Sequence, residues 1–347
     1  MEFVDAMARA NELSLRALGQ TYPNPIVGAV LIDGSGEVIS EGFHQRGPGG
    51  SAGAHGEIVA INAAGERARG STLVVTLEPC NHHGKTPPCS EAIINAGIAR
   101  VIYSIDDPHQ IAQGGAEKLE AAGISVIKGV GAEFVSWGNR AWLHKIKENR
   151  PLITAKIATT LDGYVSANDG SSKWITSKAA REDVAILRSQ CDAIVTGTGT
   201  VIADDPLLTA RVTGVTHQPT RIILGKREIP AESKVLNSDA PTKVIASRNI
   251  EDFLEYCSIE GFNHVLLEAG PTLTTAFLKA GLIDEVIAYQ APTILGSGRS
   301  AISSLGIESL ADRIDFSLHE VRAIGHGDEA NSRIHLVRGD QRAKEGR

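Results

Sequence analysis

The stretch EPCNHHGKTPPC, residues 78–89, carries two of the chain's four cysteines, Cys80 and Cys89, nine positions apart. A His-His pair and a Pro-Pro pair lie between them, and the spacing is too wide for a Cys-x-x-Cys metal knuckle. Cys80 follows STLVVTLE (71–78), which reads as a buried strand, and Cys89 immediately precedes SEAIINAGIA (90–99), whose apolar residues have helical spacing. Working outward, VGAVLIDG (27–34) reads as a strand and EIVAINAAGERA (57–68) as a helix. VIYSIDD, AEKLEAAG and ISVIKGV then continue as strand, helix and strand. This alternation is the pattern of a three-layer α/β domain.

The chain has 347 residues, and a single core rarely grows beyond roughly 250–300, so two domains are expected. RAWLHKIKENRP (140–151) is a charged amphipathic stretch ending at a proline, after which LITAKIA begins a new strand. The domains are placed at 1–146 and 147–338, with 339–347 as a polar tail. In the second half, strands are expected near 192–197, 220–224, 242–247, 264–268, 284–290 and 332–338, and helices at 177–190, 250–258 and 272–281. The amino terminus, MEFVDAMARANELS, reads as an amphipathic helix and not as a signal peptide. No apolar run approaches the ~18–20 residues of a bilayer span. A net charge of −7 supplies no general attraction for nucleic acid. Four unevenly spread cysteines do not form a disulfide framework, so a reducing, cytoplasmic setting is expected.

The cysteines have a partner upstream in AHGEIVA (54–60), which holds His55 and Glu57 at a predicted helix start. One imidazole and two thiolates are a ligand set that suits Zn²⁺ and leaves a tetrahedral ion one open position for water. Such chemistry needs a proton carrier that does not bind the metal, and Glu57 is placed for it. A helix start at Cys89 favours thiolate. Two plainer readings stand beside this one: both cysteines as core residues, or a closed structural zinc site with His82 or His83 as fourth ligand. His-x-Glu with Pro-Cys and a further Cys is nonetheless a zinc-deaminase signature, here with a wider cysteine pair. Cys191 and Cys257 read as core residues.

TYPNPIVGAVL, HGEIVA and TLEPCNHHGKTPPC together resemble the deaminase half of the bifunctional riboflavin-biosynthesis deaminase/reductase family. KIATTLDGYVSANDGSSKWITS, TGTGTVIADDPLLTAR and LLEAGPTL are similar to its reductase half, in the same order. The resemblance runs from about residue 5 to 337. It implies a cytidine-deaminase-like α/β/α domain followed by a dihydrofolate-reductase-like α/β domain. By resemblance His55, Cys80 and Cys89 are zinc ligands, Glu57 is the catalytic proton carrier, and Asn24 and His82 touch a phosphorylated pyrimidine substrate. The first half would hydrolytically deaminate a diaminopyrimidinone bearing a phosphoribosylamino group. Lys85 could touch it as well, or be a solvated loop charge. Two departures stand out. Gly56 replaces the family's alanine, a more flexible choice at a helix start, and HQRGPGGSAGAHGE (44–57) is longer and richer in glycine. A third, DDPHQIAQGGAEKL (106–119), has no assigned consequence.

The second half lacks G-x-G-x-x-G after a first strand, so an ordinary Rossmann site is not supported. TGTGT (196–200) alone is as consistent with a simple turn as with a phosphate cradle. The resemblance implies NADPH-dependent reduction of the ribosyl side chain to ribityl. It implies cofactor contacts at Trp174, Thr200, Asp204, Gly270, Pro271, Thr272 and Leu273, and substrate contacts at Ser172, Arg188, Leu208, Arg211 and Glu268. Lys156 falls where the family has a lysine near the reacting centre, and Asp204 or Glu268 would share in proton transfer. Arg188 and Arg211 suit a phosphate, while Lys226, Arg227 and Arg248 are equal candidates for the cofactor's extra phosphate. The family tends to associate, so a homo-oligomer without nucleic-acid or membrane partners is expected. The competing reading is a nucleic-acid base deaminase with an accessory α/β domain, disfavoured by the acidic charge and the wide cysteine spacing.

Overall fold

The computed structural model describes residues 2–46, 53–82, 87–109, 113–215 and 217–339. His83, Lys85, residues 47–52 of the glycine-rich approach and all but the first residue of the polar tail lie outside them. The chain divides into two compact units at Asn149/Arg150, three residues after the expected 146/147.

The first unit contains α1 (Phe3–Leu15), β1 (Gly28–Ile32), β2 (Val38–Phe43), α2 (Gly56–Ala64), β3 (Thr72–Leu77), α3 (Cys89–Ala96), β4 (Arg100–Ile105), α4 (Gly115–Ala121), β5 (Ser125–Lys128), α5 (Ala132–Gly138) and α6 (Arg140–Glu148). Its sheet runs β2-β1-β3-β4-β5, with β1 antiparallel to both neighbours and β3, β4 and β5 parallel. Side chains alternate between faces with period two, and here both faces are buried. Val30, Ile32, Val74 and Ile102 pack with Met7, Ala10 and Leu13 of α1 and Val135 of α5. Ala29, Leu31, Leu73, Val75, Val101 and Tyr103 pack with Ala60, Ile93, Leu119 and Trp142 from the helices of the opposite layer. Burial on both sides explains why β1 is an unbroken apolar run and β3 a nearly unbroken one, interrupted by Thr76.

The second unit contains β6 (Leu152–Thr159), β7 (Tyr164–Ser166), α7 (Lys178–Ser189), β8 (Ala193–Gly197), α8 (Thr198–Asp204), β9 (Thr220–Leu224), β10 (Thr242–Ile245), α9 (Ile250–Glu260), β11 (His264–Leu267), α10 (Pro271–Lys279), β12 (Glu285–Gln290), β13 (Arg299–Ser300), β14 (Phe316–Ile324) and β15 (Asn331–Arg338). Eight strands form one sheet in the order β10-β9-β8-β11-β6-β12-β15-β14, and β7 pairs with β13 apart from it. All neighbours from β10 through β12 are parallel, and β15 and β14 close the edge antiparallel. Ile194, Ile223, Leu266, Ile287 and Tyr289 supply the core of one face, covered by Val184 and Leu187 of α7. The parallel strands deliver their carboxyl ends, and the turns that follow them, to one rim of the sheet, where open α/β sheets bind ligands.

Candidate active sites

In the first unit, β3 ends at Leu77 and the chain turns through Pro79 to Cys80, while α3 starts on Cys89 and α2 starts one residue after His55. His55 Nδ1 lies 3.2 Å from Cys89 Sγ and 3.7 Å from Cys80 Sγ, and the Cys89 backbone N–H donates to Cys80 Sγ at 3.4 Å. The three ligand atoms all fall within 4.8 Å of one another, the one such cluster of His, Cys, Asp and Glu among the described residues. A tetrahedral zinc with ordinary bond lengths sets N and S roughly 3.6 Å apart. The ligand atoms are therefore already spaced to hold the ion, so the residues fit the metal. The plain core reading of the two cysteines does not account for this convergence on an imidazole.

Electrostatics agree with the spacing. The hydrogen bond from Cys89, together with the His55 contact, pushes the Cys80 thiol down to about 4 against the cost of burial. The same shared hydrogen bond, with burial added, pushes the Cys89 thiol up. The Cys80 bond raises the imidazole of His55 to about 9. Glu57 is 3% exposed, and its Oε2 has no hydrogen-bond partner among the described residues. Burial raises its pKa, with the His55 charge opposing. A buried carboxylate oxygen without a partner is costly, and a ligand group beside the metal cluster would satisfy it.

Gly56 has a reason that the sequence reading did not supply. A Cβ there would lie 2.9 Å from the Val27 carbonyl and 3.3 Å from Phe43 Cα, so the residue serves close packing of α2 on the sheet rather than flexibility. Sequence reasoning also missed His44. It is 4% exposed, its ring centroid lies 5.2 Å from that of His55, and its Nδ1 pairs with the Pro25 carbonyl at 3.1 Å. Burial, then the His55 charge, lowers it to about 4, so it stays neutral. Through Pro25 this contact draws the turn that carries the exposed Asn24 towards the metal cluster. His82 is partly buried, with its Nδ1 unpartnered among the described residues. Glu78 was also missed: its carboxylate accepts from the Asp107 and Ala116 backbone N–H groups at 3.3 and 3.1 Å, tethering the segment before Cys80 to the start of α4.

The second site gathers at the carboxyl ends of β6, β8 and β11. Glu268, just after β11, takes Arg188 of α7 in a two-pronged ion pair, Nε to Oε1 at 2.5 Å and Nη2 to Oε2 at 2.9 Å. The fork that was expected to grip a phosphate is therefore already taken up by Glu268. Arg188 also reaches the Thr209 carbonyl at 3.3 Å, and Arg211, exposed, reaches Thr209 Oγ1 at 3.5 Å. Lys156 Nζ stands 3.9 Å from Glu268 Oε2. Burial lowers the Lys156 pKa, while Glu268 opposes the shift and Arg188 and Asp204 also act on it. Asp204 is exposed, and Lys173 Nζ reaches its carbonyl at 3.4 Å. Leu208 is buried with a positive φ of 52°, a conformation costly for a branched side chain and held by its surroundings.

TGTGT is not a simple turn: β8 runs straight into α8, so Thr200 is helical. Thr200 Oγ1 accepts from the Gly270 N–H at 3.1 Å, stitching the end of β8 to the start of α10, where Pro271, Thr272 and Leu273 follow. Trp174 is 68% exposed, with the Arg181 guanidinium 4.4 Å over its ring. Ser172 lies two residues before it, half-buried. An open indole, glycine-rich turns and a buried Lys–Glu–Arg cluster on one rim fit a flat, phosphorylated cofactor beside a polar substrate.

Comparisons with known proteins identify the family of both halves. The family model for the cytidine and deoxycytidylate deaminase zinc-binding region matches residues 3–105, and that for the RibD C-terminal domain matches 151–327. The riboflavin biosynthesis protein RibD of Mycobacterium tuberculosis is 45% identical over 325 residues, covering 92% of this chain and 94% of that protein. The chain belongs to the bifunctional riboflavin-biosynthesis deaminase/reductase family. Among solved structures, a diaminohydroxyphosphoribosylaminopyrimidine deaminase/5-amino-6-(5-phosphoribosylamino)uracil reductase from Thermotoga maritima aligns with a TM-score of 0.87 at 31% identity, covering 97% of this chain and 99% of that one. RibD from Acinetobacter baumannii aligns at 0.86 and 35%, with the same coverage. The protein is thus a two-domain enzyme of riboflavin biosynthesis, a zinc-dependent deaminase joined to an NADPH-dependent reductase.

Proposed function

We propose that residues 1–149 remove the ring amino group of a diaminopyrimidinone phosphoribosylamine by hydrolysis and that residues 150–338 reduce the ribosyl group of the product to ribityl. The observation that carries this reading is the His55–Cys80–Cys89 cluster with buried Glu57 beside it. Zinc, held by those three side chains, supplies the Lewis acidity that makes water nucleophilic near neutral pH. Glu57 accepts one proton of that water and passes it to the ring nitrogen, then carries the second from the added hydroxyl to the amino group, which leaves as ammonia when the C–N bond breaks. A carboxylate whose pKa burial has raised is suited to both halves of that task. Asn24 and His82 orient the pyrimidine: the amide offers a donor and an acceptor to a ring edge, and the unpartnered His82 Nδ1 awaits a polar group.

In the second half, NADPH supplies the hydride that reaches the sugar carbon attached to nitrogen. Trp174, Thr200 and the Gly270–Leu273 run orient it. As the hydride arrives the bond from that carbon to the sugar-ring oxygen opens, and Lys156 delivers the balancing proton to that oxygen; burial has already weakened its hold on the proton. Asp204 acts on Lys156 and shares in this transfer. Glu268 fixes Arg188 and faces Lys156, and with Ser172, Leu208 and Arg211 it shapes the substrate side. A cytoplasmic homo-oligomer acting on a small phosphorylated pyrimidine, with no nucleic-acid partner, completes the proposal; the net charge of −7 and four free cysteines support that setting.

The test feeds the diaminopyrimidinone phosphate and NADPH to the purified enzyme and follows ammonia release and NADPH oxidation separately. Glu57→Gln should keep its metal and lose deamination by about 10²–10⁴-fold, while still oxidising NADPH when given the deaminated compound. Undiminished ammonia release by Glu57→Gln would contradict the proposal.

A further inference from the structure

Trp174 is the one tryptophan of the second unit, since Trp137 and Trp142 belong to the first. An indole that is 68% exposed gains little from burial, so core packing does not fix its ring. The backbone that carries it is held on both sides. Ahead of it, the Ala167 N–H donates to the Ser171 carbonyl at 2.9 Å, and Lys173 Nζ donates to the Asp204 carbonyl at 3.4 Å. Behind it, the Ser177 N–H donates to Oδ1 of the buried Asn331 at 2.7 Å. The Ser177 hydroxyl also caps α7, accepting from the Ala180 N–H at 3.2 Å. These bonds lay the segment against the end of α8 but do not reach the indole.

The partner of the indole is Arg181, which is half-buried near the start of α7, its N–H donating to the Ser177 carbonyl at 3.2 Å. A cation so close to a helix amino terminus opposes the helix dipole. No carboxylate offsets that: among the described residues Arg181 makes no ion pair. Instead its Nη1 donates to the Thr176 carbonyl at 2.6 Å, and its guanidinium lies 4.4 Å from the centroid of the Trp174 ring, over the face. The fork is thus pinned to the backbone two residues beyond Trp174 and covers one side of the indole. Among the described residues the ring has no other aromatic or cationic contact.

We propose that Arg181 is a positioning residue of the reductase half: stacked on one face of Trp174, it holds the indole so that the opposite face receives a flat ring of NADPH. A planar guanidinium matches an aromatic face. Its bond to Thr176 sets the pair in one arrangement before the cofactor arrives, so less side-chain freedom is lost on binding. Arg181 itself acts through Trp174 and touches no cofactor. This inference rests on the reading of Trp174 as a cofactor contact.

The test uses the full chain with the deaminated compound as substrate and reads KM for NADPH and kcat separately. Arg181→Gln removes the cation and relieves the opposed dipole, so α7 keeps its fold; ammonia release checks the other unit. This variant should raise KM for NADPH by about 3- to 10-fold with kcat unchanged. Arg181→Lys should recover part of the loss. Before cofactor is added, acrylamide should quench the tryptophan emission of Arg181→Gln more strongly than that of the unaltered chain, because the covered face of the indole opens. In a Trp174→Ala background, Arg181→Gln should add no further penalty. If Arg181→Gln leaves KM and quenching unchanged, lowers kcat alone, or keeps its full penalty without Trp174, the proposal is overturned while the reductase reading survives. If Trp174→Ala itself leaves KM unchanged, the reading of Trp174 as a cofactor contact falls, and the proposal with it.

Discussion

Single residues carry most of the chemistry, and those with distinctive chemistry were the ones legible in sequence. His55, Cys80 and Cys89 announce a soft metal site by type and order alone, whereas His44 and Glu78 are ordinary in sequence and gain their roles only through burial and the partners they meet. Gly56 was legible as a departure but not as a cause, because the nearness of the Val27 carbonyl is a tertiary fact. Gly56→Ala is expected to destabilise the first unit by roughly 1–3 kcal/mol, the usual cost of forcing a methyl into a filled space. That exceeds any helix-propensity gain at a first-turn position, and it should show as a lower midpoint of thermal unfolding. An unchanged or higher midpoint would remove the close-packing explanation. Glu268 offers a prediction in pH. Burial pushes its pKa up, but the charge and paired bonds of Arg188 outweigh this and hold it below the ordinary 4.5. A carboxylate lowered by folding stabilises the fold fully above 4.5, and its contribution fades as pH falls through the lowered value. Glu268→Gln should therefore cost roughly 3–5 kcal/mol at pH 7, where it strands a buried arginine. Urea titrations of the two proteins should converge as pH drops below 4.5, and a pH-independent difference would contradict the ion-pair account.

At the scale of elements, the sequence revealed those whose burial is periodic or complete. β1, β3, β8, β9 and β11 are buried on both faces and largely apolar, and α1 and α7 show a clear apolar stripe, so their residues identify them. β2 and β14 went unseen for the opposite reason: the sequences VISEGF and FSLHEVRAI are half-buried or largely exposed and show little apolar contrast. α8 was hidden by the glycines of TGTGT, which signal a turn locally, whereas it is Gly225 after β9 that lets Thr198 of α8 come close. α6 was read as a charged amphipathic stretch and α5 not at all, yet their junction holds the chain just after the Asn24–Pro25 turn. Asn139 is 2% exposed; its Nδ2 donates to the Ile26 carbonyl at 2.9 Å and its Oδ1 accepts from the Ile26 N–H at 3.0 Å. Asn139→Ala leaves both backbone groups buried without partners and should cost about 1–3 kcal/mol. Trp137 and Trp142, both in the first unit, provide the fluorescence signal for its denaturant unfolding. Because Ile26 follows the Asn24–Pro25 turn, KM for the pyrimidine should rise as well, with the reductase rate unchanged. A loss confined to the reductase would refute this assignment.

At the scale of the whole molecule, two units of different sheet topology each hold a site built from their own strand ends and helix starts. No helix among the described residues is long and apolar enough to cross a membrane. The overall pairing of a deaminase with a reductase was legible because several quoted stretches occur in one order, while no property of the second half alone named its chemistry. Contacts such as the Arg188–Glu268 pair were beyond the sequence because the partners lie 80 positions apart. The account as a whole depends on a metal gathered by one imidazole and two sulfurs. Its most direct test is elemental analysis of the purified, folded chain and of Cys89→Ser. One zinc per chain in the first and well under half in the second, with NADPH oxidation retained in both, is the result predicted. A chain without stoichiometric metal, or a Cys89→Ser protein that holds zinc as tightly and still releases ammonia, would contradict it.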